Sequence, residues 1–249
     1  MKTFAACLQQ LGVSSAVSVD GAVGHITSDS RNILKNSLFF AFPGVQSDGR
    51  DFLEEAVAAG AMACLVEASG YAGPQECLGK PIIAVPQLRD KVSAFARFFY
   101  DAPSESMTVI GVTGTNGKTS CVQYLAQTLS RPSDLLGVLG TVGNGIWPRL
   151  SAAHMTTMDA MSLQAAFADW AGRGVKTAAM EVSSHALDQG RVDHVAFDIA
   201  VFTGLTQDHL DYHGSMVRYA EAKAKLFAYP SLRAAVVNVD DPYAAELVS

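Results

Sequence analysis

Short apolar runs alternate with amphipathic stretches along this chain. In its first third, LFFAF (38–42), MACLV (62–66) and PIIAV (81–85) are nearly continuous apolar segments, a pattern that predicts buried strands. Between the first two, DFLEEAVAAG (51–60) places Phe52, Ala56 and Ala59 on one face. With Asp51 as N-cap and Gly60 as the stop, it predicts a helix.

A second helix is expected from about Leu88 to Tyr100, followed by the Pro- and Ser-containing loop DAPSES (101–106). From Thr108 the pattern becomes βαβ-like. The strands are TVIGVTG, DLLGVLG, TAAMEVS, DIAVFT and AAVVNV (234–239). They are separated by helices ending at Leu129, running from about Asp159 to Trp170, and from about Ser215 to Ala228. Apolar strands alternating with helices predict an α/β fold with a mostly parallel sheet covered on both faces. Two domains are expected: residues 1–86, a small α/β domain, and residues 87–249, a larger parallel-sheet domain. The chain ends inside an expected helix begun by Asp241-Pro242, so the second sheet is expected to be incomplete, with an exposed apolar edge. Ligands of such sheets sit at the carboxyl ends of the strands.

The 249 residues are 49% apolar and 17% charged, with a formal charge of -6. This balance argues against a nucleic-acid-binding face, which needs clustered Lys and Arg. Cys7, Cys64, Cys77 and Cys121 lack the spacing of a zinc site or a disulfide scaffold, as expected of reduced thiols in a cytoplasmic protein. No signal peptide or membrane span is expected, because the start is broken by Gln9-Gln10 and no apolar run approaches ~18 residues. The sequence fixes no oligomeric state.

GVTGTNGKTSC (111–121) brings in chemistry. A parallel strand entering a glycine-rich turn and a helix N-terminus aims backbone N–H groups and the helix dipole at one small volume, which suits phosphate. Gly114, Thr115, Asn116, Gly117, Lys118, Thr119 and Ser120 form the expected nucleotide-phosphate-binding loop, with Lys118 reaching phosphates and Thr119 ligating magnesium. The general pattern has Gly where this chain has Val112. A bare strand-to-helix turn with a surface lysine is the alternative.

Two carboxyl-edge residues follow: Glu181, at the end of TAAMEVS, is a candidate magnesium ligand, and His209, in TQDHLDYHG, is either a ligand or an ordinary surface histidine. In RYAEAKAKLFAYP the stripe Tyr219, Ala222, Lys223, Leu226 and Pro230 puts Lys223 on the apolar face and Lys225 away from it. Burial lowers an amine's pKa, and a neutral amine can add carbon dioxide to become a carbamate; a lysine snorkelling from the core is the alternative. Thr156 and Thr157 read locally as a helix N-terminal cap.

These motifs together resemble the Mur ligases, ATP-dependent amide-forming enzymes of peptidoglycan precursor synthesis, and in particular the tripeptide-forming members. The motifs are TGTNGKT, TTMDAMSLQ (156–164), EVSSHALDQGR (181–191), TQDHLDYHG (206–214) and RYAEAKAKLFAYP, with TSDSR (27–31) and FPGVQSDGRDF (42–52) near the start. The resemblance implies an N-terminal UDP-binding domain, with Ser28, Ser30, Val45, Gln46 and Ser47 at the pocket, and a central ATP-binding domain. It implies that Thr156, Thr157, Ser183, Gln189 and Arg191 contact the muramoyl peptide. It also implies catalytic roles for Lys118, Glu181, His209 and Lys223, with magnesium held by Thr119, Glu181, His209 and a carbamate formed from carbon dioxide on Lys223. The implied reaction activates UDP-MurNAc-L-Ala-D-Glu as an acyl phosphate, which a diamino acid, meso-diaminopimelate or L-lysine, attacks. The family's C-terminal amino-acid-binding domain is not expected in this chain. The alternative is a noncatalytic relative that binds nucleotide and muramoyl peptide only. A P-loop kinase or GTPase is disfavoured, since no guanine-recognition motif is evident and the first domain would have no role.

Overall fold

Apolar runs become the central strands of two sheets. The computed structural model describes residues 2–14, 17, 19–44 and 47–247, and the chain divides into two units after Asp101.

In the first unit, β1 (Lys2–Thr3) pairs antiparallel with β2 (Ala22–Val23). A separate sheet has the order β3-β4-β5-β7-β6, formed by β3 (His25–Thr27), β4 (Ser37–Ala41), β5 (Ala61–Glu67), β6 (Glu76–Cys77) and β7 (Lys80–Val85). Only β6 runs antiparallel within it. Every residue of β4 is buried, which is why the strand is continuously apolar rather than alternating. The helices are α1 (Phe4–Gln10), α2 (Leu53–Ala58) and α3 (Leu88–Phe99).

Two local expectations are corrected here. The cap before α2 is Asp48, not Asp51: its carboxylate accepts from Arg50 N–H at 3.0 Å and opens a 3-10 turn over Gly49–Phe52. The α-helix therefore starts at Leu53 and buries Leu53, Ala56 and Val57, leaving Phe52 and Ala59 exposed. The second correction concerns α3, which belongs to the first unit, so the border falls after this helix rather than after residue 86. Glu67 at the end of β5 anchors the start of α3, accepting from Gln87 N–H at 3.1 Å and Leu88 N–H at 2.7 Å. Phe95 then packs on Phe40 of β4, with ring centroids 5.1 Å apart.

The second unit is built on β8 (Thr108–Thr113), β9 (Leu136–Leu139), β10 (Asn144–Ile146), β11 (Arg149–Ser151), β12 (Thr177–Glu181), β13 (Ile199–Phe202) and β14 (Ala234–Val237), in the order β11-β10-β9-β12-β8-β13-β14. Five strands are parallel, and the β10–β11 hairpin adds an antiparallel edge. That hairpin is not foreseen in the hydropathy pattern, because NGIWPRLS carries no apolar run. The helices are α4 (Lys118–Leu129), α5 (Ala160–Gly172), α6 (Ser184–Asp188), α7 (Leu210–His213), α8 (Met216–Ala224) and α9 (Ala244–Leu247). One core gathers Val109, Leu163, Phe167, Trp170 and Phe197, and another gathers Val112, Val122, Ala126 and Val138. The helix expected through Ala228 is α-helical only to Ala224 and continues as a 3-10 turn, which leaves Pro230 exposed. At the far edge, Ala234, Ala235 and Val236 of β14 are exposed.

β8 lies between β12 and β13, all three parallel. The loops that follow them emerge side by side at the carboxyl edge of the sheet, and these loops carry the site.

Candidate functional site

The glycine-rich loop expected to hold phosphate lies between β8 and α4. Val112 is a buried strand residue whose carbonyl accepts from Val182 N–H at 2.8 Å. The loop begins only at Gly114, so position 112 needs no glycine. Gly114 has φ +143°, and a Cβ there would sit 2.0 Å from Thr203 Oγ1. Gly117, at φ +84°, caps α4, and the first main-chain bond of the helix runs from Cys121 N–H to Gly117 O at 2.9 Å. The amides of Lys118, Thr119 and Ser120 precede it and have no partner within the helix, as at any helix start. Lys118 Nζ folds onto its own loop, donating to Gly114 O at 2.9 Å and Thr115 O at 2.8 Å.

Glu181 ends β12 beside this loop and is 1% exposed. Its Oε2 accepts from Thr119 Oγ1 at 2.8 Å, and its Oε1 from Thr141 N–H at 2.7 Å. Gly140 makes room for it, because a Cβ at that position would lie 2.3 Å from Glu181 Oε1. Thr119 and Glu181 thus present hard oxygen donors side by side.

Lys223 is 1% exposed. Its Nζ donates to Gly114 O at 2.8 Å and lies 4.5 Å from the centroid of the Tyr219 ring. Burial, reinforced by the charge of Lys118, pushes its pKa down to about 7, while Asp208 opposes the shift. The pKa of Lys118 is also lowered by burial, with Glu181 and Asp208 opposing. Lys225 is half-exposed and bonds Asp188 Oδ1 at 3.0 Å. The periodicity therefore separated the two lysines correctly.

His209 is exposed, with Nε2 3.5 Å from Asp208 Oδ2. Its ring lies 4.7 Å from that of His185 and 6.1 Å from that of Tyr219, so His209 and Lys223 both border Tyr219. Among the described residues no group of three His, Cys, Asp or Glu side chains is arranged to hold a metal.

The remaining candidates of this unit form a connected set. Thr157 is buried; its hydroxyl donates to Glu181 O at 2.9 Å and accepts from Ser183 N–H at 3.0 Å. Thr156 Oγ1 lies 3.2 Å from Thr141 Oγ1. Neither threonine caps α5, since Asp159 does so by accepting from Met161 N–H and Ser162 N–H. Ser183 caps α6. Arg191 donates to Gln189 Oε1 through Nε at 2.9 Å and to Thr157 O at 3.2 Å.

In the first unit, Ser28 and Ser30 flank Asp29, whose carboxylate pairs with Arg31 at 2.8 Å. Ser47 is exposed, and its carbonyl accepts from Gly44 N–H at 2.8 Å. Both segments follow parallel neighbouring strands, β3 and β4, and so share one sheet edge. Val45 and Gln46 lie outside the described residues.

Comparison with known proteins shows the family. The family profile described as Mur ligase middle domain matches residues 112–249, more than half of the chain. The chain belongs to the Mur ligase family. A second profile, Mur ligase family, catalytic domain, matches residues 22–100. The UDP-N-acetylmuramoyl-L-alanyl-D-glutamate–2,6-diaminopimelate ligase of Pseudomonas aeruginosa is 48% identical over 92% of this chain and 47% of its own length. The protein of the same name from Coxiella burnetii is 45% identical over 95% of this chain and 48% of its own. A solved structure titled as that ligase superposes with a TM-score of 0.78 at 35% identity, covering 97% of this chain and 48% of the other. The chain spans about half the length of the curated relatives it matches.

Several residues beside these candidates carried no isolated signal in the sequence. Thr141 donates twice to Glu181 from an unremarkable loop. The charge of Asp208 favours the protonated form of both Lys118 and Lys223; its place beside His209 in the motif was the available clue. Tyr219 was legible as buried but not as a neighbour of the loop.

Proposed function

We propose that this chain carries the precursor-binding and ATP-binding part of a ligase that adds a diamino acid to UDP-MurNAc-L-Ala-D-Glu in peptidoglycan precursor synthesis. The names of its relatives favour 2,6-diaminopimelate as the amino acid. The observation that carries the proposal is the pairing of Thr119 with buried Glu181 at the phosphate loop, with two lysines on the same loop carbonyl.

In this reading ATP phosphorylates the side-chain carboxylate of D-glutamate, and the incoming amine displaces phosphate from the acyl phosphate. Phosphoryl transfer of this kind depends on positioning and charge neutralisation. Lys118, released from its loop carbonyls, would move to the transferring phosphoryl group. The amides at the start of α4 would hold the phosphates. Arg191, a planar fork already anchored by Gln189 and Thr157, suits a substrate carboxylate. In the first unit Ser28, Ser30, Val45, Gln46 and Ser47 would contact the uridine diphosphate.

The donor set fits magnesium shared with nucleotide phosphates: Thr119 and Glu181 are hard oxygen ligands, and an ion of this kind takes few protein ligands. His209 and Lys223, as a carbamate, would complete the protein's share. Bound magnesium would neutralise phosphate charge and align the transferring group. Lys223 supports the carbamate reading because its buried amine is substantially neutral near pH 7. The cytoplasm is the proposed compartment, consistent with four free cysteines; among the described residues no helix is long and apolar enough to cross a membrane.

The test is calorimetric titration of the chain with UDP-MurNAc-L-Ala-D-Glu and with Mg-ATP, using Lys118→Ala as control. Binding of both ligands, with Mg-ATP lost in the variant, supports the proposal; a folded chain that binds neither overturns it. Release of ADP dependent on diaminopimelate separates catalysis from binding alone, a reading that the half-length match to the relatives keeps open.

A further inference from the structure

Thr115 belongs to the phosphate loop, yet every polar group it offers as a donor already has a protein partner. Its N–H donates to Gly204 O at 2.8 Å. Its hydroxyl donates to Thr206 O at 3.0 Å, accepts from Thr206 N–H at 2.9 Å and lies 3.1 Å from Tyr219 OH. A hydroxyl has one hydrogen and two lone pairs. The hydrogen is engaged by Thr206 O, so Tyr219 is the donor to Thr115, and the Thr115 side chain is saturated. Burial pushes the Tyr219 phenol above its ordinary range, which keeps that proton in place.

The three partners come from segments far apart in the chain. Thr206 is 91 residues from Thr115 and opens the loop bearing Asp208 and His209. Tyr219 is 104 residues away, one helical turn before Lys223, whose Nζ lies over its ring. A further tie holds the same two loops together, since Thr203 Oγ1 donates to Asn116 O at 2.6 Å.

We propose that Thr115 is a positioning residue rather than a phosphate ligand: its hydroxyl clamps the phosphate loop, the 204–209 loop and α8 into one arrangement. The proposal rests on the nucleotide-binding reading of this loop for its effect on Mg-ATP, whereas the clamp itself is measurable without ligand.

Hydrogen exchange of the full chain and calorimetric titration with Mg-ATP test it in Thr115→Val, Thr115→Ser, Tyr219→Phe and the Thr115→Val/Tyr219→Phe double variant. Thr115→Val and Tyr219→Phe should each speed amide exchange over 204–209; Tyr219→Phe should weaken Mg-ATP roughly three- to tenfold, the scale of one hydrogen bond, and Thr115→Val, which removes all the hydroxyl's contacts, by more. Thr115→Ser should recover the protection that Thr115→Val loses. The double variant should match Thr115→Val, because both changes break one shared contact. Unchanged exchange over 204–209 in both single variants overturns the clamp. So does Mg-ATP binding lost in Thr115→Val and intact in Tyr219→Phe, the mark of a direct phosphate ligand. If the parent chain binds no Mg-ATP, the nucleotide reading fails and exchange alone decides the clamp; if Thr115→Val does not fold, Tyr219→Phe and Thr115→Ser decide it.

Discussion

Lys118 and Lys223 share one acceptor: both ammonium groups donate to Gly114 O, at 2.9 and 2.8 Å. Burial disfavours the charge of each, and the charge of Lys118 further disfavours that of Lys223. The pKa of Lys223 accordingly falls to about 7, from an ordinary value of 10.5. Between those values the unfolded chain binds more protons at this residue than the folded chain, so its contribution to stability rises with pH across that window. Wild type should therefore gain thermal stability relative to Lys223→Met between pH 7 and pH 8.5 in buffer free of carbon dioxide. Melting curves at several pH values check this, and a constant difference between the two proteins would contradict the lowered pKa.

A carbamate should form on Lys223 and on no other lysine of α8 or the 3-10 turn that follows. Carbon-13 NMR in labelled bicarbonate near pH 8 is expected to show one carbamate carbon that disappears in Lys223→Ala and persists in Lys225→Ala. Lys225 is a surface partner of Asp188, so its removal should cost no more than about 1 kcal/mol.

Gly140→Ala should disable Glu181 without touching it chemically. The new methyl group would lie 2.3 Å from Glu181 Oε1, forcing the carboxylate off Thr119 and Thr141. Overpacking of this kind costs about 1–3 kcal/mol. Chemical denaturation and Mg-ATP titration should show reduced stability together with weakened, less magnesium-dependent nucleotide binding; unchanged binding would remove Glu181 from the site.

Arg191→Lys should weaken the muramoyl dipeptide while leaving Mg-ATP binding near its original strength. A lysine cannot reproduce the fork that meets Gln189 and Thr157 together. An affinity loss of about tenfold, the scale of one charge-assisted hydrogen bond, is expected by calorimetry. Equal losses for both ligands would instead indicate general disruption of the unit.

Local pattern accounts for much of what could be read in advance. The apolar runs at 38–42 and 62–66 became β4 and β5, and the helical stripe that separated Lys223 from Lys225 held over the length of α8. The error at Asp51 has a local cause as well: Asp48 stands three residues earlier and stabilises a 3-10 turn that rotates the following helix. The hairpin at 144–151 was invisible because its strands pair with each other and with β9 at a sheet edge, where continuous apolar content is not required.

The sequence by itself determined the parallel α/β architecture, the glycine-rich turn before α4, the carboxylate at the end of β12 and the buried lysine, since each depends on periodicity or on a motif within a few residues. Tertiary structure alone decided that Gly114 O is shared by Lys118 and Lys223, that Thr141 and Gly140 shape the seat of Glu181, and that Thr115 meets Thr206 and Tyr219. Those contacts join segments up to 109 residues apart. They exist because parallel strands β8, β12 and β13 deliver their loops to one edge, a register set by the packing of the whole sheet rather than by any segment within it.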